Sequence, residues 1–307
     1  MYFGVIDIGS TTLRMSLYKH DNNMLSQMYN KKVFTRLSDY VKDGSLSIDG
    51  MDAIIQGMKQ YLEEISNVPS VKVFCFATAF IRELNNFQAI ISEIYNRLMI
   101  RVEVLSTAEE AKYALNGFLH NERIDKSKGL LVGVGGTSTL LVYYENGTLV
   151  NYASLALGSI RELKPLFRGI VPTKEEAIKM KKYIEHALDK LNWIHSCKAK
   201  NVYAVSGNGR AFARIHKDLN HVCGDTNEYD IPMQEVNEVV KALLSFKDQH
   251  QAVLYLNEVV PGRINSFVPS AIILETIMEY VEAKEFKTAK YGLREGFLLS
   301  HDLTNKE

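Results

Sequence analysis

Three turns rich in Gly, Ser and Thr each follow an apolar, β-branched run. Gly9-Ser10-Thr11-Thr12 follows Tyr2 to Ile8, Gly135-Gly136-Thr137-Ser138 follows Gly129 to Val134, and Ser206-Gly207-Asn208-Gly209 follows Val202 to Val205. Turns of this composition expose backbone N–H groups and hydroxyls that bind phosphate without net positive charge. The third precedes a helical pattern, so a helix dipole adds to it. Taken singly, each is also what an ordinary turn looks like. Charged side chains between Asp7 and Glu110 add further candidates. Asp7 is a candidate metal ligand or water orienter, or an Asp that stabilises its turn. Of Glu109 and Glu110, one is a candidate general base; the alternative is a pair of acids favoured by a helix N-terminus. Arg82 follows the apolar stretch Ala77 to Ile81, and a partly buried Arg needs an anionic partner. Phosphate, Glu83 and another carboxylate all qualify.

The elements that position these groups alternate between strand and helix. Tyr2 to Ile8 and Leu13 to Tyr18 read as strands around the first turn. Ser47 and Asp49 offer caps for a helix with Met51, Ile54, Ile55, Met58, Leu62 and Ile65 on one face. Val71 to Ala77 is a strand, Phe87 to Leu98 a helix, Arg101 to Leu105 a strand, and Ala108 to Leu119 a helical run. Thr173-Lys-Glu-Glu176 fits a capping box. Pro232 opens a further helix, and Asn265 to Tyr280 forms a long apolar one. The pattern is that of an α/β protein.

Ile6-Asp7-Ile8-Gly9-Ser10-Thr11-Thr12 can be laid beside Val132-Gly133-Val134-Gly135-Gly136-Thr137-Ser138. One strand–turn–strand unit near the start of each half suggests a duplicated domain. The polar stretch Asn121 to Lys128 separates the halves, giving domains 1–124 and 125–307, with the last helix free to pack back on the first. With 307 residues, about two domains of roughly 150 residues fit. Lys plus Arg number 36 against 36 Asp plus Glu. This balance excludes a general nucleic-acid or anionic-membrane surface. A polyanionic ligand would need local charge, for which Lys31, Lys32, Arg36, Arg161, Lys164, Arg168, Lys179, Lys181 and Lys182 are candidates. Cys75, Cys197 and Cys223 are too scattered for a disulfide framework. With neither a signal-peptide pattern nor a run of about 20 apolar residues, the expected location is the cytoplasm.

In order, these residues resemble the exopolyphosphatase / guanosine pentaphosphate phosphohydrolase (Ppx/GppA) family. Asp7-Ile-Gly-Ser10 resembles its first phosphate loop, and Ala77-Thr-Ala-Phe-Ile-Arg82 its Ala-Thr-x-x-x-Arg stretch. Val104-Leu-Ser-Thr-Ala-Glu-Glu-Ala111 resembles the segment with the catalytic glutamate. Ser154-Leu-Ala-Leu-Gly158 with Arg161, Ser206-Gly-Asn-Gly209, Pro261-Gly-Arg263 and Gly292-Leu-Arg-Glu-Gly296 resemble later motifs. The resemblance implies a duplicated actin-like, acetate-kinase-like, Hsp70-like (ribonuclease H-like) two-domain α/β fold with an interdomain cleft. It implies hydrolysis of terminal phosphoanhydride bonds of polyphosphate or guanosine pentaphosphate, with guanosine tetraphosphate a further ligand. Glu110 would then be the catalytic base. Gly9, Ser10, Thr11, Arg82, Gly135, Gly136, Thr137, Ser138, Gly207 and Asn208 would bind phosphate. Mg²⁺ would be the cofactor, with Asp7 as its candidate ligand and weak binding expected. Nucleic acid and membrane are not implied partners, and a homodimer is compatible with the family.

The second loop departs from the family pattern. Where the family has Asp-Ile-Gly-Gly-Gly-Ser-Thr-Glu, this chain has Gly133-Val-Gly-Gly-Thr-Ser-Thr-Leu140. Two oxygen-donor side chains are absent. Thr107 replaces the glycine usual before the catalytic glutamate. A catalytically weak or silent binder of polyphosphate or a guanosine alarmone is therefore the alternative. A third reading, an ATP-dependent kinase or ATPase, rests on fold analogy alone.

Overall fold

The computed structural model describes residues 1–21, 24–197, 199–301 and 303. The chain divides into two compact units, Met1–Glu110 with the residues from Phe297 on, and Ala111–Gly296. The polar stretch Asn121 to Lys128 lies inside the second unit, between a helix and a strand.

In the first unit, β1 (Tyr2–Ile8), β2 (Thr12–Asp21) and β3 (Met24–Phe34) form an antiparallel meander. After the short hairpin β4 (Val41–Lys42) and β5 (Ser45–Leu46) comes α1 (Ile48–Ile65). Ser47 caps α1 by accepting from the Gly50 N–H at 3.2 Å. β6 (Val71–Ala77) returns parallel to β1, the one-turn helix α2 (Ala79–Arg82) and α3 (Phe87–Leu98) follow, and β7 (Val102–Val104) extends the sheet. The strand order is β3-β2-β1-β6-β7. Ile6, Ile8, Leu13, Met15 and Leu17 bury one face of the sheet in a cluster with Ile54, Ile55 and Met58 of α1. Alternation along β1 places Asp7 on the opposite face. α4 (Thr107–Leu119) starts in this unit and continues into the second.

The second unit repeats the plan. β8 (Lys128–Val134), β9 (Thr139–Glu145) and β10 (Thr148–Leu155) are again an antiparallel meander. α5 (Lys174–Leu188) opens with the expected capping box of Thr173 and Glu176. β11 (Asn201–Ala204) runs parallel to β8, and α6 (Gly207–Leu219) follows. Then come β12 (Asp230–Pro232), α7 (Met233–Leu243), α8 (Gln249–Val259), α9 (Phe267–Tyr280), β13 (Glu285–Thr288) and α10 (Leu293–Leu299). The strand order is β10-β9-β8-β11-β13-β12. Its first five strands correspond one for one to the sheet of the first unit. Duplication of the α/β plan, expected from the repeated turn, is thus present throughout both sheets. α9 is buried nearly all round in a mainly apolar core. Among the described residues, no helix is long and apolar enough to cross a membrane.

Candidate functional site

The first loop joins β1 to β2. The Gly9 N–H donates to the Thr12 carbonyl at 3.2 Å, which closes the turn. The segment after β3 braces it from outside. The Arg36 N–H donates to the Thr11 carbonyl at 2.9 Å and the Ser38 N–H to the Ser10 carbonyl at 3.1 Å. With both carbonyls bonded away, Ser10 and Thr11 sit at a turn fixed by backbone contacts. Ser10 is buried, and the Thr11 hydroxyl is buried with no hydrogen-bond partner.

The acidic segment resolves into two residues with different work. Ser106 and Glu109 form a reciprocal cap. The Ser106 N–H donates to Glu109 Oε2 at 2.8 Å, and the Glu109 N–H donates to Ser106 Oγ at 3.3 Å. Glu109 therefore holds the start of α4, and Ser106-Thr-Ala-Glu109 carries the capping-box pattern that marks it in the sequence. Glu110 points into the protein and is 7% exposed. Its Oε2 lies 3.5 Å from Arg82 Nη1, and this atom has no hydrogen-bond partner. Burial pushes the Glu110 carboxyl up to about 7. Arg82 pulls it down less strongly, while Asp7 and Glu83 push it up. A carboxyl balanced near neutrality suits proton transfer.

Arg82 meets a carboxylate, and that carboxylate is Glu110. Its guanidinium is anchored further by Nη1 donating to the Leu105 carbonyl and Nη2 donating to Thr107 Oγ1 at 3.2 Å. Asp7, Arg82, Thr107 and Glu110 thus gather in the first unit from β1, α2 and the start of α4. The sequence gives no local signal for the Thr107 contact, because its partner lies 25 residues away.

The second loop has the same backbone frame. The Gly135 N–H donates to the Ser138 carbonyl at 2.8 Å, and the N–H groups of Ser159 and Ile160 donate to the carbonyls of Gly135 and Gly136 at 3.1 and 2.9 Å. A Cβ on Gly158 would lie 2.2 Å from the Gly136 carbonyl oxygen, so only glycine permits this brace. Thr137 is buried. Gly133 and Leu140 are register partners, as Asp7 and Arg14 are in the first unit. Leu140 is buried in an apolar cluster with Leu131, Val142 and Phe118.

The third glycine turn is the first turn of α6, which begins at Gly207 with Ser206 as its N-cap residue. Gly209 permits this start, since a Cβ there would lie 2.0 Å from the Ala204 side chain. The Asn208 side-chain amide is engaged on both sides. It donates to the Val134 carbonyl at 3.0 Å and accepts from Arg263 Nη1. Burial, with Arg210 and Arg214 nearby, lowers Arg263 to about 10. Asn208 therefore ties the helix to β8 and to the Pro261-Gly-Arg263 segment. Several of the basic residues considered for steering are also occupied. Lys31 pairs with Glu64, Arg161 lies 3.4 Å from Glu162, and Lys181 lies 2.9 Å from Glu275.

A dedicated metal cage needs more ligands than this site offers. Among the described residues, no group of three or more His, Cys, Asp or Glu side chains could hold a metal ion. Mg²⁺ carried on a phosphate chain needs only one or two carboxylates, and Asp7, whose charge is felt at Glu110, fits that use.

Two meanders with matching braced turns define a duplicated α/β protein, and its first unit carries the ion pair of Arg82 with the buried Glu110. The Ppx/GppA phosphatase family model matches residues 16–305, and the chain belongs to that family. The chain is 23% identical over 299 residues to a guanosine-5′-triphosphate,3′-diphosphate pyrophosphatase of Pseudoalteromonas translucida, covering 97% of this chain and 59% of that protein. A protein of the same name from Vibrio parahaemolyticus is 25% identical over 167 residues, covering 54% of this chain and 33% of its own length. The match thus spans less than two thirds of either relative. An exopolyphosphatase structure from Cytophaga hutchinsonii superposes with a TM-score of 0.87 at 20% identity, covering 98% of this chain and 97% of that one. A Ppx/GppA family member from Aquifex aeolicus gives 0.82 at 21% identity, with coverage of 98% and 97%. At these identities the superpositions establish the fold.

Proposed function

We propose that the chain hydrolyses a terminal phosphoanhydride bond of inorganic polyphosphate or guanosine pentaphosphate, with Glu110 as general base. The observation that carries this reading is the Glu110 side chain. It is buried, is held near neutrality, and has its Oε2 in an ion pair at 3.5 Å with an anchored arginine. The names of the curated relatives and of the Cytophaga structure support the substrate class.

In this reading Oε2 of Glu110 takes a proton from the attacking water. The water oxygen bonds to the terminal phosphorus as the bridging P–O bond breaks, and the shortened chain leaves with the bridging oxygen. Arg82 and the Gly9-Ser10-Thr11 turn hold phosphate, and these groups stabilise charge on the transferring phosphoryl. Mg²⁺ held by Asp7 together with substrate oxygens would supply further charge neutralisation. Phosphate release from polyphosphate and from guanosine pentaphosphate, with and without Mg²⁺, tests the reading. Release that persists unchanged in Glu110→Gln removes Glu110 from the mechanism.

A second reading, a binder with little or no turnover, is supported by Gly133 and the buried Leu140, which leave that end of the second meander without an acid. Calorimetric binding of the same ligands without phosphate release would select it.

A further inference from the structure

Thr107 is the first residue of α4 and stands where the resembling family carries glycine. Its hydroxyl accepts from Arg82 Nη2 at 3.2 Å, and the Leu105 carbonyl accepts from Nη1. Both acceptors come from the chain just ahead of Glu110. A guanidinium is a planar fork of donors, so two anchors on its two terminal nitrogens fix its plane as well as its position. Glu110 Oε2 sits 3.5 Å from Nη1, buried and without a hydrogen bond. An arginine free to move beside such a carboxylate closes on it in a short, charge-assisted bidentate pair. That closure has not happened here. The Arg82 side chain remains 23% exposed, so part of the fork is open to a ligand.

We propose that Thr107 is a positioning residue, whose hydroxyl holds the Arg82 guanidinium off Glu110 and keeps its remaining donors for a phosphate group of the substrate. Asp7 and Glu83 are the other charged groups felt at Glu110, and both are acids. Neither offers Arg82 a neutral anchor of the kind Thr107 provides. The proposal rests on the phosphate-ligand part of the function proposed above and not on turnover.

Tripolyphosphate binding to the full chain, measured by calorimetry, tests it. Thr107→Val keeps the branched shape and removes the acceptor, and should weaken binding about tenfold. Thr107→Ser restores the hydroxyl and should bind within about twofold of the wild type. In an Arg82→Ala background, Thr107→Val should change nothing further, because the residue acts through Arg82. Wild-type affinity in Thr107→Val, a failed rescue by Ser, or an equal loss in the Arg82→Ala background would each overturn the proposal. Absence of tripolyphosphate binding by the wild type overturns it together with the phosphate reading. Wild-type binding without phosphate release, with the Thr107 pattern intact, removes only the hydrolase reading.

Discussion

The two strand–turn–strand units share a backbone and differ in chemistry. In both, the glycine N–H closes the turn on the carbonyl three residues on, and the segment after the third strand bonds back to turn carbonyls. The penultimate residue of the first strand and its cross-strand partner are Asp7 and Arg14 in one unit, and Gly133 and Leu140 in the other. The frame is maintained by main-chain bonds and by small residues such as Gly158, which make few demands on neighbouring side chains. It survives exchange of an acidic position for an apolar one. The first unit, unlike this frame, also holds a buried acid beside a cation, Glu110 and Arg82, on which the proposed proton transfer rests. Fold duplication therefore yields two turns with the same backbone frame, and the side chains around them differ.

The largest expected effect comes from Glu110 itself. Glu110→Gln keeps the shape and removes the base, and should lower phosphate release by about 10²–10⁴-fold. The same group sets a pH dependence of stability. Its folded pKa, about 7, lies above the ordinary 4.5, so the folded state keeps a proton that the unfolded chain has lost between these values. Stability from this group is full below the unfolded value and is lost as pH rises through the folded one. The loss is about 3 kcal/mol by pH 8. Denaturant titrations at pH 5 and 8 should show Glu110→Gln gaining on the wild type chiefly at the higher pH.

Two substitutions in the second unit sharpen the comparison. Leu140→Glu places a charge in an apolar cluster and should cost on the order of 3 kcal/mol in a denaturant titration. Gly133→Asp should be milder. A Cβ at Gly133 would meet Leu140 Cβ at 3.5 Å and Val205 at 3.8 Å, which are ordinary contacts. The melting temperature should move by no more than about 1 kcal/mol implies. If Gly133→Asp alone raises phosphate release severalfold, the missing acid limited the wild type. An unchanged rate assigns the catalytic groups to the first unit.

The sequence carries the parts of this account that depend on local pattern. The repeated turn, the Ser47 cap and the Thr173–Glu176 capping box are encoded within a few residues and occur as expected. The third glycine turn is different. Ser206-Gly-Asn-Gly reads as a turn, yet the helix begins at Gly207, because Gly209 lets it pack directly on Ala204. β13 and α8 carry patterns too short or too weakly amphipathic to stand out from their neighbours. Ser106 and Glu109 carried a capping-box signal that assigns Glu109 to the helix end, which leaves Glu110 for other work. The partner of Arg82 could not be chosen among Glu83, another carboxylate and phosphate, since the choice depends on how α2 meets the start of α4. Asn208 likewise reads as a phosphate contact, while its side chain is occupied by Val134 and Arg263.

The pH dependence of phosphate release from tripolyphosphate, compared between the wild type and Glu110→Gln, reports on the proton taken up by Glu110. The rate per enzyme should rise with pH through about 7 in the wild type as Glu110 loses its proton. Glu110→Gln should be slow and lack that rise. A variant that keeps both the rate and the rise would contradict the assignment of Glu110 as the base.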